Sequence, residues 1–318
     1  MAIGIGTNFQ IYNEQFQSGF IETLQQATDF FNGNSGGTIN LGTLHHKGNY
    51  SQQAFYDQVI TLGHRDVTST SAKTPVALTQ DEVVKVKVNR DFFVEQTLDA
   101  WKKIAVDPTE MSIVVGTQAA KAQMVDYLNT AVTAADNAFG ATLTKDNSAG
   151  TLNHQGLVDG LAKFGDAGQQ VSAFIMHSKV YYDLVGQSIA DKITNVADQT
   201  IYTGTAATLG RPVIISDIAG LLVSGTPDKY HTLALMPGAI SINESESPTV
   251  ESQLSLGKDN ITMQMQGESA FTLGLKGYAY DITNGGANPI DSVLWTASNW
   301  DKVVADNKST GGAQIVTQ

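Results

Sequence analysis

TPVALTQDEVVKVKVNRDFFVEQTLDAWKKI (residues 74–104), followed at once by DPTEMSIVVGTQAAKAQMVDYLNTAVTAADNAF (residues 107–139), is the part of the sequence on which the fold turns. In the first stretch Val84, Val86 and Val88 alternate with Lys85, Lys87 and Asn89, the period-two pattern of a strand with one apolar face. The residues before it, His64 to Ala72, are small and polar with almost nothing to pack, and Pro75 sits where a turn could fall. Together they read as a long two-stranded hairpin with too thin a core to stand alone, because isolated hairpins are marginal in water. An ordinary surface hairpin on a larger sheet fits the same residues.

The second stretch is a helix with its start written out. Asp107 is an N-cap, Pro108 takes the first helical position and Glu110 supplies the capping-box acid. No proline follows until well beyond Gly140, and Ala, Met, Val, Leu and Gln dominate. A helix over 108–139 measures ~48 Å at 1.5 Å per residue. Typical helices have about 11–12 residues, so this rod is expected to be a spine to which other parts attach.

Working outward, Phe16, Phe20, Leu24, Ala27 and Phe31 recur at helical spacing and predict a helix over 13–32, stopped by Gly33. Burying each phenylalanine is worth roughly 1.5–3 kcal/mol, so the stripe needs a partner surface, in the same subunit or in the next one. From Thr151 the pattern alternates α and β. Asn153 caps a helix whose apolar face is Leu157, Leu161 and Phe164; a strand Ala173–Met176 follows; Ser178 caps a second helix carrying Val180, Tyr181, Leu184 and Val185. A Gly-Arg-Pro turn leads into the strand Val213-Ile214-Ile215, and Leu233–Ile242 is a strand broken at Pro237-Gly238. Alternating strands fill Pro248 to Ile282, and the Ser/Thr/Gly/Gln-rich tail after Asn307 is expected to be mobile. There is no internal repeat.

Composition narrows the function. Charged residues are 16%, against roughly 25% in a typical globular chain; association with identical copies is one use for such a surface, and Ser/Thr/Gln decoration is another. With 19 Lys+Arg against 31 Asp+Glu the net charge is -12, which argues against gripping nucleic acid. Lys85, Lys87 and Arg90, and the pair Lys102-Lys103, are the nearest approaches to a basic patch. An acidic chain can still surround DNA where the aim is containment without adhesion. Without cysteine there are no disulfides or thiolate metal sites. The first residues lack a secretory signal, and no run approaches the ~20 apolar residues that cross a bilayer, so a soluble chain with no membrane partner, made in a cytoplasm, is expected.

Three stretches resemble the major capsid proteins of tailed bacteriophages of the Hong Kong 97 type: residues 74–104, GLVDGLAKFGDAGQQVSAFIMHSKVYYDL (156–184) and TLGRPVIISD (208–217). The likeness covers roughly Asn13 to Asp301 and rests on packing patterns, not on chemical signatures. It implies an α+β Hong Kong 97-like capsid fold. The expected parts are an N-terminal arm (1–61) with the helix 13–32, an extended loop (62–92), a peripheral domain (93–150 and 243–300) with the spine helix 108–139, an axial domain (151–242) and a flexible tail (301–318). It further implies hexamers and pentamers of an icosahedral head enclosing double-stranded DNA, with the loop lying across a neighbouring subunit. Because the arm helix begins near residue 13, the scaffolding region that some members carry ahead of the arm has no room, and a separate scaffolding protein is implied. A portal protein and a possible cement protein are the other partners. Lys73 is a conceivable donor for a covalent crosslink of the kind the fold's founding member uses, although a lone exposed lysine is more often just solvated. The candidate subunit-contact residues are Phe16, Phe20, Leu24, Phe31, Lys73, Pro75, Val84, Lys85, Val86, Lys87, Val88 and Arg90.

Catalytic patterns are thin. Gly33-Asn34-Ser35-Gly36-Gly37 fits G-x-S-x-G, but a nucleophile elbow needs a strand before it and a helix after, and here a helix precedes. His45-His46 would point to opposite faces of a strand and rarely share a metal. His177 reads as a histidine bonded to backbone, and Asp217, Asp281 and Glu268 form no calcium loop. The opening GIG gives no dinucleotide site. The chain is therefore expected to be no enzyme and to hold no metal or cofactor. The two other readings are an encapsulin-like compartment shell subunit and an α/β hydrolase using Ser35.

Overall fold

The computed structural model describes residues 13–56, 63, 65–72, 80–104, 108–193, 209–257 and 259–318. In chain order these form α1 (Asn13–Asn34), β1 (Ile39–Thr43), β2 (Tyr50–Tyr56), β3 (Gln80–Thr97), α2 (Leu98–Ile104), α3 (Pro108–Thr142) and β4 (Thr144–Asp146). Then come α4 (His154–Ala162), β5 (Ala173–Met176), α5 (Ser178–Ile193), β6 (Val213–Ile215), β7 (Leu222–Val223) and β8 (Lys229–Leu235). The chain closes with β9 (Ile240–Ser255), β10 (Thr262–Leu275), β11 (Tyr278–Tyr280), α6 (Ile282–Gly285), α7 (Asp291–Leu294), β12 (Trp300–Lys302) and β13 (Gly312–Thr317).

Two sheets share one helix. The first has the order β1-β9-β10-β3-β2, and the second runs β4-β13-β8-β5-β6 with β7 on β8. From Thr130 to Asp136 every residue of α3 is buried, which only a helix passing through the interior can show. Its Ala, Thr and Val side chains there are small enough for backbone on all sides. The main core joins Ala131, Ala135, Ala138 and Phe139 of α3 to Val86, Val88, Phe271 and Leu273 of the first sheet and Ile175, Leu233 and Leu235 of the second. On its far face the second sheet packs Phe174, Met176, Ala234 and Ile315 against Leu157 of α4 and Val180 and Leu184 of α5.

Several expectations change. The stop of α1 is not Gly33, which is still helical, but Gly36 and Gly37, both at positive φ. β3 is not half of a coreless hairpin. It is an inner strand of the first sheet, paired with β2 over Gln80–Val86 and with β10 over Val86–Thr97. The partner strand of the hairpin is Tyr50–Tyr56, whereas residues 65–72 are exposed coil and turn. The tail is not mobile either. β13 is an inner strand between β4 and β8, with Ala313 and Ile315 buried, so the second sheet takes in residues 144–146 and 312–317 beyond the 151–242 expected. The cap Asp107, the turn Pro75 and Lys73 lie outside the described residues.

Candidate assembly surface

The assembly that the resemblance implies would work through the outside of the chain, so the relevant geometry is where apolar or backbone surface is left uncovered. The β2–β3 hairpin is the first such place. At its root Val84 and Val86 are buried, but Gln52, Gln53 and Ala54 of β2 and Asp81 and Glu82 of β3 are exposed. The ribbon thus leaves the core as it runs towards residues 57–79. Among the described strands β2 pairs only with β3, which leaves its outer backbone edge open.

The second place is a groove of about 710 Å³ between the N-terminal half of α3 and the sheet face near β3. Phe92, Val94, Trp101, Met111, Val114, Val115, Ala119, Ala122 and Met265 form its apolar lining, with Arg90, Asp91, Gln123 and Asp126 among its polar residues. Val94 is 39% and the neighbouring Phe93 58% exposed. Trp101 is 6% exposed, yet its Nε1 has no acceptor among the described residues. Exposed Ile21 and Phe30 on α1, and Leu256 and Ile261 between β9 and β10, add further apolar surface.

Most of the sequence-derived contact candidates point inward instead. Phe16 and Phe20 are buried against Ala120, Val250 and Met265 of the same chain, with Leu24 packed on that cluster. Val84, Val86 and Val88 belong to the main core, and Phe31 packs against it. Alternation shows that a strand has an apolar face but not what covers it, and here the same chain covers it, with β11 packed on β3 and the three valines in one cluster with α3. Lys87 is buried and ion-paired with Glu246, while the stem of Lys85 lies over Gly274 on β10. Arg90 bonds Asp126 (2.8 Å), Asp291 (2.5 Å) and the Thr130 hydroxyl (2.8 Å). Burial opposes its charge, but the bonds to Asp126 and Asp291 outweigh that and hold its pKa above the ordinary value. These groups are engaged within the chain itself.

A buried polar node escaped the sequence reading. Asp136, 1% exposed on α3, accepts from Gln314 Nε2 of β13 (2.8 Å), and its other oxygen lies 2.6 Å from His231 Nδ1 of β8. Thr144 donates to Gln314 Oε1 (3.1 Å). The node ties the long helix to three strands of the second sheet. No motif joins Asp136, His231 and Gln314, which are 83 to 178 positions apart along the chain.

The catalytic candidates are taken up by structure. Ser35 is buried behind α1 with its hydroxyl 3.4 Å from the Asn32 and Ile39 carbonyls. His45 reaches the Ser245 carbonyl (3.1 Å) and His46 the Thr272 hydroxyl (3.3 Å), so the adjacent imidazoles have different partners. His177 accepts from the Lys179 amide (3.2 Å), and Asp217 accepts from the Ser178 amide (3.0 Å). That pair caps α5, and Ser178, read as the cap, is its first helical residue. Asp281 caps α6 in the same way. Among the described residues no group of three or more His, Asp or Glu could hold a metal, and no helix is long and apolar enough to cross a membrane.

The family described as Gp13-like (Major capsid protein 13-like) matches residues 8–314. Among solved structures, a chain titled Mycobacterium phage Bobi is similar with a TM-score of 0.52 and 12% identity, covering 93% of this chain and 90% of that one. A chain from the Cyanophage Pam1 capsid asymmetric unit gives 0.53 at 11% identity, over 86% and 85% of the two chains. A chain from the acidic stable capsid structure of Helicobacter pylori bacteriophage KHP30 gives 0.53 at 10% identity, over 88% of each. At such identities the likeness is one of fold. No curated protein sequence matches the chain.

Proposed function

This chain belongs to the Gp13-like family of major capsid proteins, and from that premise we propose how it builds a shell. It is a bacteriophage structural protein with the α+β fold of Hong Kong 97-like coats. In our reading its copies associate as hexamers and pentamers, closing an icosahedral head around double-stranded DNA. The long helix α3 serves as the spine, the second sheet as the axial domain, and the β2–β3 ribbon with residues 57–79 as the loop that lies across a neighbour.

The observation that carries this reading is the exposed ribbon. A two-stranded ribbon is marginal in water by itself, and from Gln52 to Ala54 it has no core beneath it. The surface of an adjacent subunit would supply that support. Each such contact is modest, but repetition around a closed shell makes dissociation of one subunit improbable. The net charge of -12 suits containment of DNA without adhesion. A separate scaffolding protein, a portal protein and a cement protein are the partners this reading requires or allows, with assembly in the host cytoplasm. Lys73 as a crosslink donor remains outside the reading, since it lies outside the described residues.

The test replaces residues 57–79 by a short Gly/Ser turn joining Tyr56 to Gln80. The expected result is a soluble subunit with an unchanged thermal midpoint that forms no closed shells by electron microscopy, even with the scaffolding protein supplied. Closed shells at the yield of the unaltered chain would overturn the reading.

A further inference from the structure

The outer edge of β2 differs from the other sheet edges of this chain. The strand is YSQQAFY (Tyr50–Tyr56), seven residues without Asp, Glu, Lys, Arg or Pro, and it pairs with β3 in continuous register. Edge strands are ordinarily blunted by charge, proline, a bulge or short length, because their unpaired N–H and C=O groups are a template for another strand. The other described edges of the two larger sheets carry such a device. β4 and β6 have three residues each and β7 has two. β1 is closed at its centre by Asn32, whose amide donates to the Leu41 carbonyl (2.8 Å) and accepts from the Leu41 N–H (3.0 Å).

The register fixes which groups are open. Lys87 N donates to the Asn49 carbonyl (2.9 Å), and Tyr50 stands opposite Val86. Bonded and non-bonded pairs alternate along an antiparallel ladder, so Ser51 and Gln53 turn their backbone groups to β3. Tyr50, Gln52, Ala54 and Tyr56 turn theirs outward, where no described strand lies. The same strand of a second copy matches this row in full. When it runs antiparallel with Gln53 opposite Gln53, Tyr50 meets Tyr56 and Gln52 meets Ala54, so every outward residue faces an outward residue. The strand carries no charge, so no like charges are brought together along the seam. The contact also closes: both copies spend the same edge, and no other long open edge is left among the described strands to extend it.

We propose that two copies of this chain pair through β2, antiparallel about a two-fold axis at Gln53, joining their five-stranded sheets into one. The shell reading concerns what lies beneath the ribbon, whereas this contact concerns its edge. It goes beyond that reading and is decided on unassembled subunits.

The chain has no cysteine, so disulfide trapping is clean. Gln52 and Gln53 are both exposed. In the proposed register the two Gln53 Cα atoms form a non-hydrogen-bonded pair about 4.5 Å apart, within disulfide reach. The two Gln52 positions are diagonal, roughly 7–8 Å apart, and out of reach. Each variant is first checked for the thermal midpoint of the parent. With an added thiol oxidant, Q53C should form an interchain disulfide at least about tenfold faster than Q52C. A54P removes one outward N–H and leaves the bonds to β3 in place, a position at which an edge strand tolerates proline. Added to Q53C, it should return the rate to that of Q52C. Equal rates for Q53C and Q52C, or no disulfide from Q53C, would overturn the proposal. So would a Q53C rate that A54P leaves unchanged at the parent midpoint; where A54P lowers the midpoint, Q53C against Q52C decides alone.

Discussion

At Gly116 the long helix touches the backbone of the first one. A Cβ there would stand 2.4 Å from the Phe16 carbonyl oxygen, and one at Gly19 would stand 2.9 Å from that of Ile113. The two helices therefore cross at a separation that only hydrogen side chains permit. Gly116→Ala is expected to cost about 1–3 kcal/mol of stability through overpacking, whereas Gly186→Ala on α5, with nothing within 4 Å, should gain about 0.5–1 kcal/mol. Thermal unfolding of the two variants checks both signs, and an unchanged midpoint for Gly116→Ala would sink the close-contact argument. Glu244 gives a second prediction. Burial raises its pKa, with a Ser247 bond and the charge of His45 pulling the other way. The folded chain thus holds this proton more tightly than the unfolded chain, and ionisation opposes folding. Its penalty is absent below the unfolded pKa and reaches its full size as pH rises through the folded one. Glu244→Gln should raise the midpoint at pH 7, with the gain shrinking as pH falls into the ordinary carboxylate range. Equal midpoints across the titration would refute this. Neither site was legible in the sequence: a glycine inside a helix reads as a weak point until its neighbour is known, and a carboxylate's burial depends on distant strands.

Elements defined by their own periodicity were read well. The predicted helices 13–32 and 108–139 are Asn13–Asn34 and Pro108–Thr142 in the structure, because caps and apolar spacing are local. β5 and β6, short apolar runs between turn residues, were equally plain. The C-terminal strand was not. Its Ser/Thr/Gly/Gln composition looks mobile, yet an inner strand needs only Ala313 and Ile315 on the α4 side and a bonded Gln314 on the other. The strands that hold it, β4 and β8, lie far away in sequence. Removing residues 311–318 should therefore abolish cooperative unfolding of the second sheet, not merely trim an end, since it exposes two strand edges and leaves Asp136 without the Gln314 donor. Circular dichroism melts and limited proteolysis would read this; an unchanged melt would show β13 to be dispensable.

For the whole molecule, the single core that spans both sheets through α3 explains why the subunit is one body before any neighbour arrives. What it does not cover is the β2–β3 ribbon and the groove. Of the two, the ribbon is proposed to be completed by another subunit. The ribbon deletion acts at this scale, because every residue of the described core lies outside 57–79. A subunit that folds but does not close is the expected outcome.

The sequence alone determined the four longer helices, the short strands β5 and β6 (though β6, read as buried, is half-exposed), the absence of thiol chemistry and, through three soft stretches of resemblance, the capsid family. Those are properties of local periodicity and composition. Tertiary structure decided which apolar faces were already covered. It put Phe16, Phe20 and the valines of β3 inside the subunit, drew the polar tail into the second sheet, and left exposed a ribbon beyond its buried root and a groove that no local pattern announces. The physical reason is that burial is a relation between segments far apart in the chain, and an apolar stripe has the same appearance whether its partner is the same subunit or the next.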